Sequence, residues 1–198
     1  MNSRSGLRRV AGIGVVGLLA ACASSPPATF YTLSATAPPG AAAGRAFSVA
    51  VDAPALPALV DRPQLVLRQD DNRVTLDEQH RWAEPLRNGL GRVVAENLSR
   101  LLGQPQVVAY PHGAGIDPDY RVQIDVQRFD LESGDAATLD AVWTVRAAAG
   151  GSPRTGSTRA RQEAGKTRES AVAAMSRAAG TLSADVAAAI RSLPAGRR

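Results

Sequence analysis

Residues 10–21 of the 198-residue chain are all apolar or glycine, and no later stretch repeats such a run. Beyond it the pattern breaks into short segments of two periods. Residues 30–33 read as a small strand, and residues 34–45, rich in Ala, Pro and Gly, as a linker or loop. Phe47, Val49 and Val51 alternate with small or polar neighbours, as a strand requires. Residues 65–68 and 73–76 flank the turn-forming Gln69-Asp70-Asp71-Asn72, which predicts a hairpin. Over residues 85–102 the period changes: Leu86, Leu90, Val93, Val94, Leu98, Leu101 and Leu102 fall at helical spacing. Pro85 suits the first turn of that helix, and Gly103 the position just past its end.

Residues 106–110 form a short apolar strand candidate, and residues 111–119 a loop of Pro, Gly and Asp. Tyr120, Val122, Ile124 and Val126 then share one face, but Phe129 and Leu131 fall on the other. That flip of phase predicts a β-bulge near Gln127-Arg128. Ser133-Gly134-Asp135 turns the chain, and Leu139, Ala141, Trp143, Val145 and Ala147 make a second apolar face that ends at residues 150–153. Residues 155–162 are polar on both phases, so a strand there belongs at a sheet edge. Thr167 suits a helix N-cap, and Val172, Met175, Ala179, Leu182, Val186, Ile190 and Leu193 form one stripe on a long helix over residues 168–193. The expected fold class is α+β: a mostly antiparallel sheet with two long helices packed on one face, in a single domain.

Arg4, Arg8 and Arg9 precede the apolar run, and no acidic residue accompanies them, as in an export signal. The run of twelve residues is well short of the roughly 20 that span a bilayer as a helix. Its end, Leu19-Ala20-Ala21-Cys22, contains the chain's single cysteine and resembles a bacterial lipobox. In such signals the cysteine sulfur receives a diacylglycerol, the chain is cut before it, and the new amino group is usually acylated. The expected organisation is a removed lipoprotein signal peptide over residues 1–21, a lipidated tether over 22–29, one domain over 30–193 and a basic tail over 194–198. Ala23, where enteric bacteria read aspartate as an inner-membrane retention signal, favours the periplasmic leaflet of the outer membrane.

The formal charge of +5 does not change this picture once it is located. Three basic residues lie in the signal segment and two, Arg197 and Arg198, at the C-terminal end, leaving eighteen cations against eighteen anions. With three Phe, three Tyr and two Trp there is no basic face interleaved with aromatics, so nucleic acid is not an expected partner. Residues 160–167 miss a phosphate-binding loop by one position, Ala160 standing for its first glycine, and no apolar strand precedes them. His80 and His112 lie at no metal-ligand spacing and read as solvated loop residues. Asp70-Asp71, Asp77-Glu78 and Asp117-Pro118-Asp119 fit turn chemistry better than calcium binding. No catalytic residue, metal or cofactor is expected, and an enzyme is the least favoured class.

Asp61-Arg62-Pro63-Gln64-Leu65-Val66, Arg81-Trp82-Ala83-Glu84-Pro85-Leu86 and Ala95-Glu96-Asn97-Leu98 follow one another behind the lipobox. Phe30-Tyr31-Thr32-Leu33 and Tyr120-Arg121-Val122 accompany them. Together they resemble the paraquat-inducible protein C-like lipoproteins, also called ABC-type transport auxiliary lipoproteins, from Phe30 to about Leu193. The resemblance implies a periplasm-facing, lipid-anchored accessory to a transport system built around MCE-domain proteins, which moves phospholipid or related molecules between two membranes. It implies docking of an MCE-domain partner, with Asp61, Arg62, Pro63, Gln64, Arg81, Trp82, Glu84 and Pro85 as contact or structural residues. On the structural reading Trp82 is a hydrophobic staple closing the start of the helix, and Arg62 and Arg81 pair with Asp61 and Glu84. Trp143 is expected in the core, and the C-terminal stripe in the core or in a homo-oligomer contact. The competing function is a scaffold or assembly lipoprotein of outer-membrane barrel or lipopolysaccharide insertion machinery.

Overall fold

The computed structural model describes residues 27–41, 45–104, 106–111, 117–132 and 136–193. The signal peptide, Cys22, most of the tether, His112, the turn at Ser133-Gly134-Asp135 and the basic tail lie outside the described residues. The elements in chain order are β1 Thr29–Tyr31, β2 Val49–Val51, β3 Gln64–Arg68, β4 Val74–Trp82 and α1 Leu86–Leu102. They continue with β5 Val107–Ala109, β6 Tyr120–Glu132, β7 Ala136–Ala147, β8 Arg154–Glu163 and α2 Arg168–Ser192.

β6 is the spine of one eight-stranded sheet. On one side it pairs antiparallel with β7, which pairs antiparallel with β8, the polar edge strand. On the other side two short strands lie against it in succession, β2 beside residues 120–122 and β3 beside residues 131–132, both parallel. β5 adds to β2 in parallel, β4 to β3 as an antiparallel hairpin, and β1 to β4 in parallel. The sheet is therefore mixed, not mostly antiparallel, with four parallel pairings among seven. Alternation reports which face a residue takes and says nothing of its neighbour's direction; only tight connections force antiparallel pairing. The short connections, β3 to β4, β6 to β7 and β7 to β8, are the antiparallel ones.

Both helices cover one face, as expected. α2 packs on β6, β7 and β8, α1 on β2 and β5, and the two helices touch each other. Thr167 caps α2, its side chain accepting from the Ser170 N–H while Ser170 Oγ accepts from the Thr167 N–H. Gly103 ends α1 in the left-handed region, with φ of 62°. The flip of phase in β6 is a bulge: Val126 pairs with Ala141 and Arg128 with Asp140, leaving Gln127 without an opposite residue. Tyr120, Val122, Ile124, Val126, Phe129 and Leu131 are consequently all buried beneath the helices.

Two expectations about local structure fail. Asp77 and Glu78 form no turn between elements but lie within β4, and His80 is a strand residue. The turn chemistry is nevertheless present: Asp77 Oδ1 accepts from the Gln79 and His80 N–H groups, and residues 78–80 bulge out where Leu65 faces Asp77 and Gln64 faces Arg81. Residues 32–41, most of them within the stretch 34–45 expected as a linker or loop, are strapped across the helix pair. Asn97 Oδ1 accepts from the N–H groups of Thr36 and Ala37, and Ser176 Oγ from that of Ser34. The Gly40 N–H donates to the Arg100 carbonyl at 2.8 Å, and a side chain at Gly40 would overlap the Leu101 carbonyl.

Trp143 is in the core, 8 % exposed, with its ring lying over Gly156 directly across the ladder. Its indole N–H donates to Thr158 Oγ1, which donates to Asp185 on α2 at 2.6 Å. Any Cβ at Gly156 would overlap the indole. Gly156→Val is therefore expected to cost about 1–3 kcal/mol through the displaced ring, read as a lower thermal midpoint and a shifted tryptophan emission. A wild-type midpoint would show that the indole has another place to go.

Candidate functional site

The Asp61 to Gln64 motif occupies the break between β2 and β3. Pro54, Pro57 and Pro63 stand in residues 52–63 and cannot donate to a ladder, so the chain cannot run beside β6 as one continuous strand. It holds on at Ala55, whose carbonyl accepts from the Val126 N–H at 2.9 Å, and then lifts away. The Pro57 carbonyl accepts from the N–H groups of Val60 and Asp61, the Arg62 N–H donates to the Val60 carbonyl, and Val60 itself is buried. Asp61, Arg62 and Pro63 are thereby held out from the sheet.

The second motif forms the facing wall. The Trp82 N–H donates to the Pro63 carbonyl at 2.7 Å, joining the two motifs directly, and the Ala83 N–H donates to the Tyr31 carbonyl on β1. Pro85 is the N-cap residue of α1, its carbonyl accepting from Asn88 and Gly89. Trp82 is 7 % exposed and lies three residues before that cap, outside the position from which a staple acts. Its place is a core one, fixed by strand pairing. Between the walls is a cleft of about 310 Å³ lined by Asp61, Arg62, Pro63, Trp82, Glu84 and Pro85 together with Ala83 and Leu86. Gln64 and Arg81 are opposite each other in the ladder, and their side chains both bond Glu78.

The expected ion pairs are replaced by others. Asp61 pairs with Arg87 at 2.6 Å, Glu84 with Arg92 at 2.7 Å, and Arg81 with Glu78 at 2.9 Å. Arg62 donates to the Ala58 carbonyl at 3.4 Å, and its buried Nε has no partner. Adjacent Asp61 and Arg62 point their side chains apart and Arg81 is taken by Glu78, whereas Arg87 and Arg92 reach back from the first turns of α1 to Asp61 and Glu84. Gly89 gives Glu84 the room to fold over that turn. Arg92 also donates to Glu96 and to the Leu33 carbonyl, so it ties the corner to the strap. The Glu84 hydrogen bond, against the opposing effect of burial and helped by Glu96, raises the Arg92 guanidinium above its ordinary pKa. These half-exposed pairs are each worth no more than about 1 kcal/mol; the corner's rigidity rests on its backbone bonds and Trp82.

A further polar cluster gave no sequence signal beyond the Asp77 to His80 spacing. Tyr31 Oη donates to Glu169 Oε1 at 3.0 Å, His80 Nδ1 meets Asp77 Oδ1 at 2.8 Å, and Arg168 Nε donates to Asp77 Oδ2 at 2.8 Å. Burial pushes the Asp77 carboxyl up, but the hydrogen bonds and charges of His80 and Arg168 outweigh it and hold it below its ordinary value. The cluster joins β1, β4 and the start of α2, and its polar groups are spent on one another. Among the described residues no group of three or more His, Cys, Asp or Glu is placed to hold a metal ion. No described helix is long and apolar enough to cross a membrane.

The family model for the ABC-type transport auxiliary lipoprotein component matches residues 31–187. A crystal structure of an uncharacterized protein superposes with a TM-score of 0.69 at 18 % identity, covering 83 % of this chain and 99 % of its own. A Xanthomonas campestris protein of the DUF330 family superposes at 0.64 with 19 % identity, covering 82 % and 95 %. At those identities the likeness is one of fold. No curated protein matches the chain significantly.

Proposed function

From the premise that the chain belongs to the ABC-type transport auxiliary lipoprotein family, we propose that it is the lipid-anchored, periplasm-facing accessory of an intermembrane lipid-transport system built around MCE-domain proteins. It performs no chemistry on the cargo and docks the transport complex at the outer membrane, with Cys22 carrying the anchor. The observation that carries this reading is the position of the motif corner. The Ala83 N–H bond to Tyr31 places the cleft beside β1, the strand that follows the tether. Seven residues separate Cys22 from Phe30, a reach of at most roughly 25 Å. A partner held at the corner is thereby held close to the bilayer that the anchor enters. Asp61, Arg62 and Glu84, with accessible polar groups, and the exposed ring of Pro85 are the contact residues.

Affinity capture through the full chain after crosslinking in cells tests it. An MCE-domain protein is the expected co-purifying partner, lost when Asp61 and Glu84 are both changed to Lys. Recovery of barrel-assembly or lipopolysaccharide-insertion components without any MCE-domain protein overturns the reading in favour of a scaffold.

A further inference from the structure

Among the described residues the sheet has three terminal strands, β1, β5 and β8, and β5 is undefended. Natural sheets blunt their edges with charge, proline or cover, and β8 does so with exposed Arg154, Arg159, Arg161 and Glu163. β5 at the opposite edge is Val107-Val108-Ala109, without a charge or a proline, and among the described residues it pairs only with β2. The register shows which of its backbone groups are spent. The Val49 N–H donates to the Gln106 carbonyl and the Tyr110 N–H to the Val51 carbonyl, and Val108 lies opposite Ala50. In a parallel ladder this turns the N–H and C=O of Val108 toward β2 and those of Val107 and Ala109 outward.

Beside that edge runs a groove of about 530 Å³, with β5 on one wall and α1 on the other. Its helical wall is low where Ala95 and Ser99 face it, and Arg92, Glu96 and Arg100 stand at its rim. Glu96 is already paired with Arg92, while Arg100 donates only to the Ala35 carbonyl and has no carboxylate within ion-pair distance among the described residues. Tyr110, 56 % exposed, stands at the end of β5 as one of three exposed large hydrophobic residues among the described residues. Outward-facing donors and acceptors two residues apart match an extended backbone and not a helix. The unneutralised guanidinium matches an acidic side chain.

We propose that the β5 edge and the α1 groove form a strand-addition site for an extended acidic-apolar segment of a partner protein. The segment bonds Val107 and Ala109 through its backbone, lowers alternate small apolar side chains toward Ala95 and Ser99, presents a carboxylate to Arg100 and lies against Tyr110. On the docking reading above, that segment belongs to the transport system; the edge itself is argued from geometry alone.

The test uses the full chain purified in detergent and the capped hexapeptide Val-Thr-Asp-Thr-Val-Thr, whose apolar and acidic side chains share one face, with the peptide carrying Lys in place of Asp as control. Residue-resolved hydrogen exchange is expected to slow at Val107 and Ala109 by about tenfold or more near saturation, with Val108, already bonded to β2, little changed. Arg100→Glu is expected to weaken the acidic peptide by roughly fivefold. Ala109→Pro, which deletes an outward donor and leaves the β2 ladder intact, abolishes binding while the thermal midpoint stays near wild type. If that variant unfolds, the exchange pattern and the two-peptide comparison still decide. Equal affinity for both peptides overturns the proposal, as does unchanged exchange at Val107 and Ala109 at millimolar peptide. Protection that depends on protein concentration without peptide overturns it in favour of pairing between two copies. Because no transport protein enters the experiment, its failure leaves the docking reading standing, and failure to capture an MCE-domain protein leaves the edge site standing.

Discussion

Asn97→Leu is expected to lower the stability of the folded domain by about 3–5 kcal/mol, the sum of one stranded donor, two lost bonds and the crowding of a larger side chain. The Asn97 side chain is fully buried and serves three partners in two other parts of the chain. Its Oδ1 accepts from the Thr36 and Ala37 N–H groups, each at 2.9 Å, and its Nδ2 donates to Ser183 Oγ on α2 at 3.3 Å. Leucine keeps the branched shape of asparagine but is larger, so no cavity opens. The N–H of buried Ala37 is left without an acceptor, at about 1–3 kcal/mol, and that of the more exposed Thr36 loses its bond, at about 1 kcal/mol. At this chain length the loss corresponds to a thermal midpoint lower by roughly 10 °C. Urea unfolding should show an earlier midpoint with an unchanged slope, and a wild-type midpoint would mean that the strap finds another acceptor. The effect reaches beyond α1, because the strap joins α1 to α2 through Asn97 and Ser176.

Cys22→Ser is expected to release the protein from membranes altogether or to leave it as an unprocessed precursor. Each buried methylene of an acyl chain contributes about 0.8 kcal/mol and a single myristoyl chain holds only marginally, so two or three chains make attachment effectively permanent. Nothing else in the described part of the chain substitutes for them, since none of its helices is long and apolar enough to cross a bilayer. Fractionation of cells into soluble and membrane pools reads the result, with intact-mass analysis of the wild-type product giving the acylation directly. A processed serine variant still wholly in the membrane pool would remove lipid attachment as the reason for localisation.

Much of the fold can be read where one residue's environment is set by its near neighbours. Thr167 and Ser170 cap α2 as short-range chemistry requires, Gly103 ends α1, and the displaced phase of Phe129 and Leu131 reveals a bulge opposite Ala141 and Asp140. Strand direction cannot be read in this way. The parallel partners of β6 arrive from residues 49–51 and 67–68, across connections whose composition is silent about orientation. The strap is hidden for a related reason: Ser34-Ala35-Thr36-Ala37 has linker composition, and partners remote in sequence make it structural, Asn97 at 61 residues from Thr36 and Ser176 at 142 residues from Ser34, with Arg100 on the Ala35 carbonyl. At the corner the motif residues are legible and their pairings are not. Asp61 and Glu84 are answered by Arg87 and Arg92, which in the sequence are ordinary helix-surface cations.

The strap also sets an order of events. Tyr31 is bonded to Glu169 and Ser34 to Ser176, so β1 and the strap are completed by α2, across 138 and 142 positions. Contacts of such separation form late, because the whole intervening loop must be closed before they repay it. A polypeptide threaded across a membrane amino end first therefore stays open along the seam between α1 and α2 until its carboxyl end has emerged, and a product truncated before residue 168 would keep α1 but leave β6, β7 and β8 without their helix.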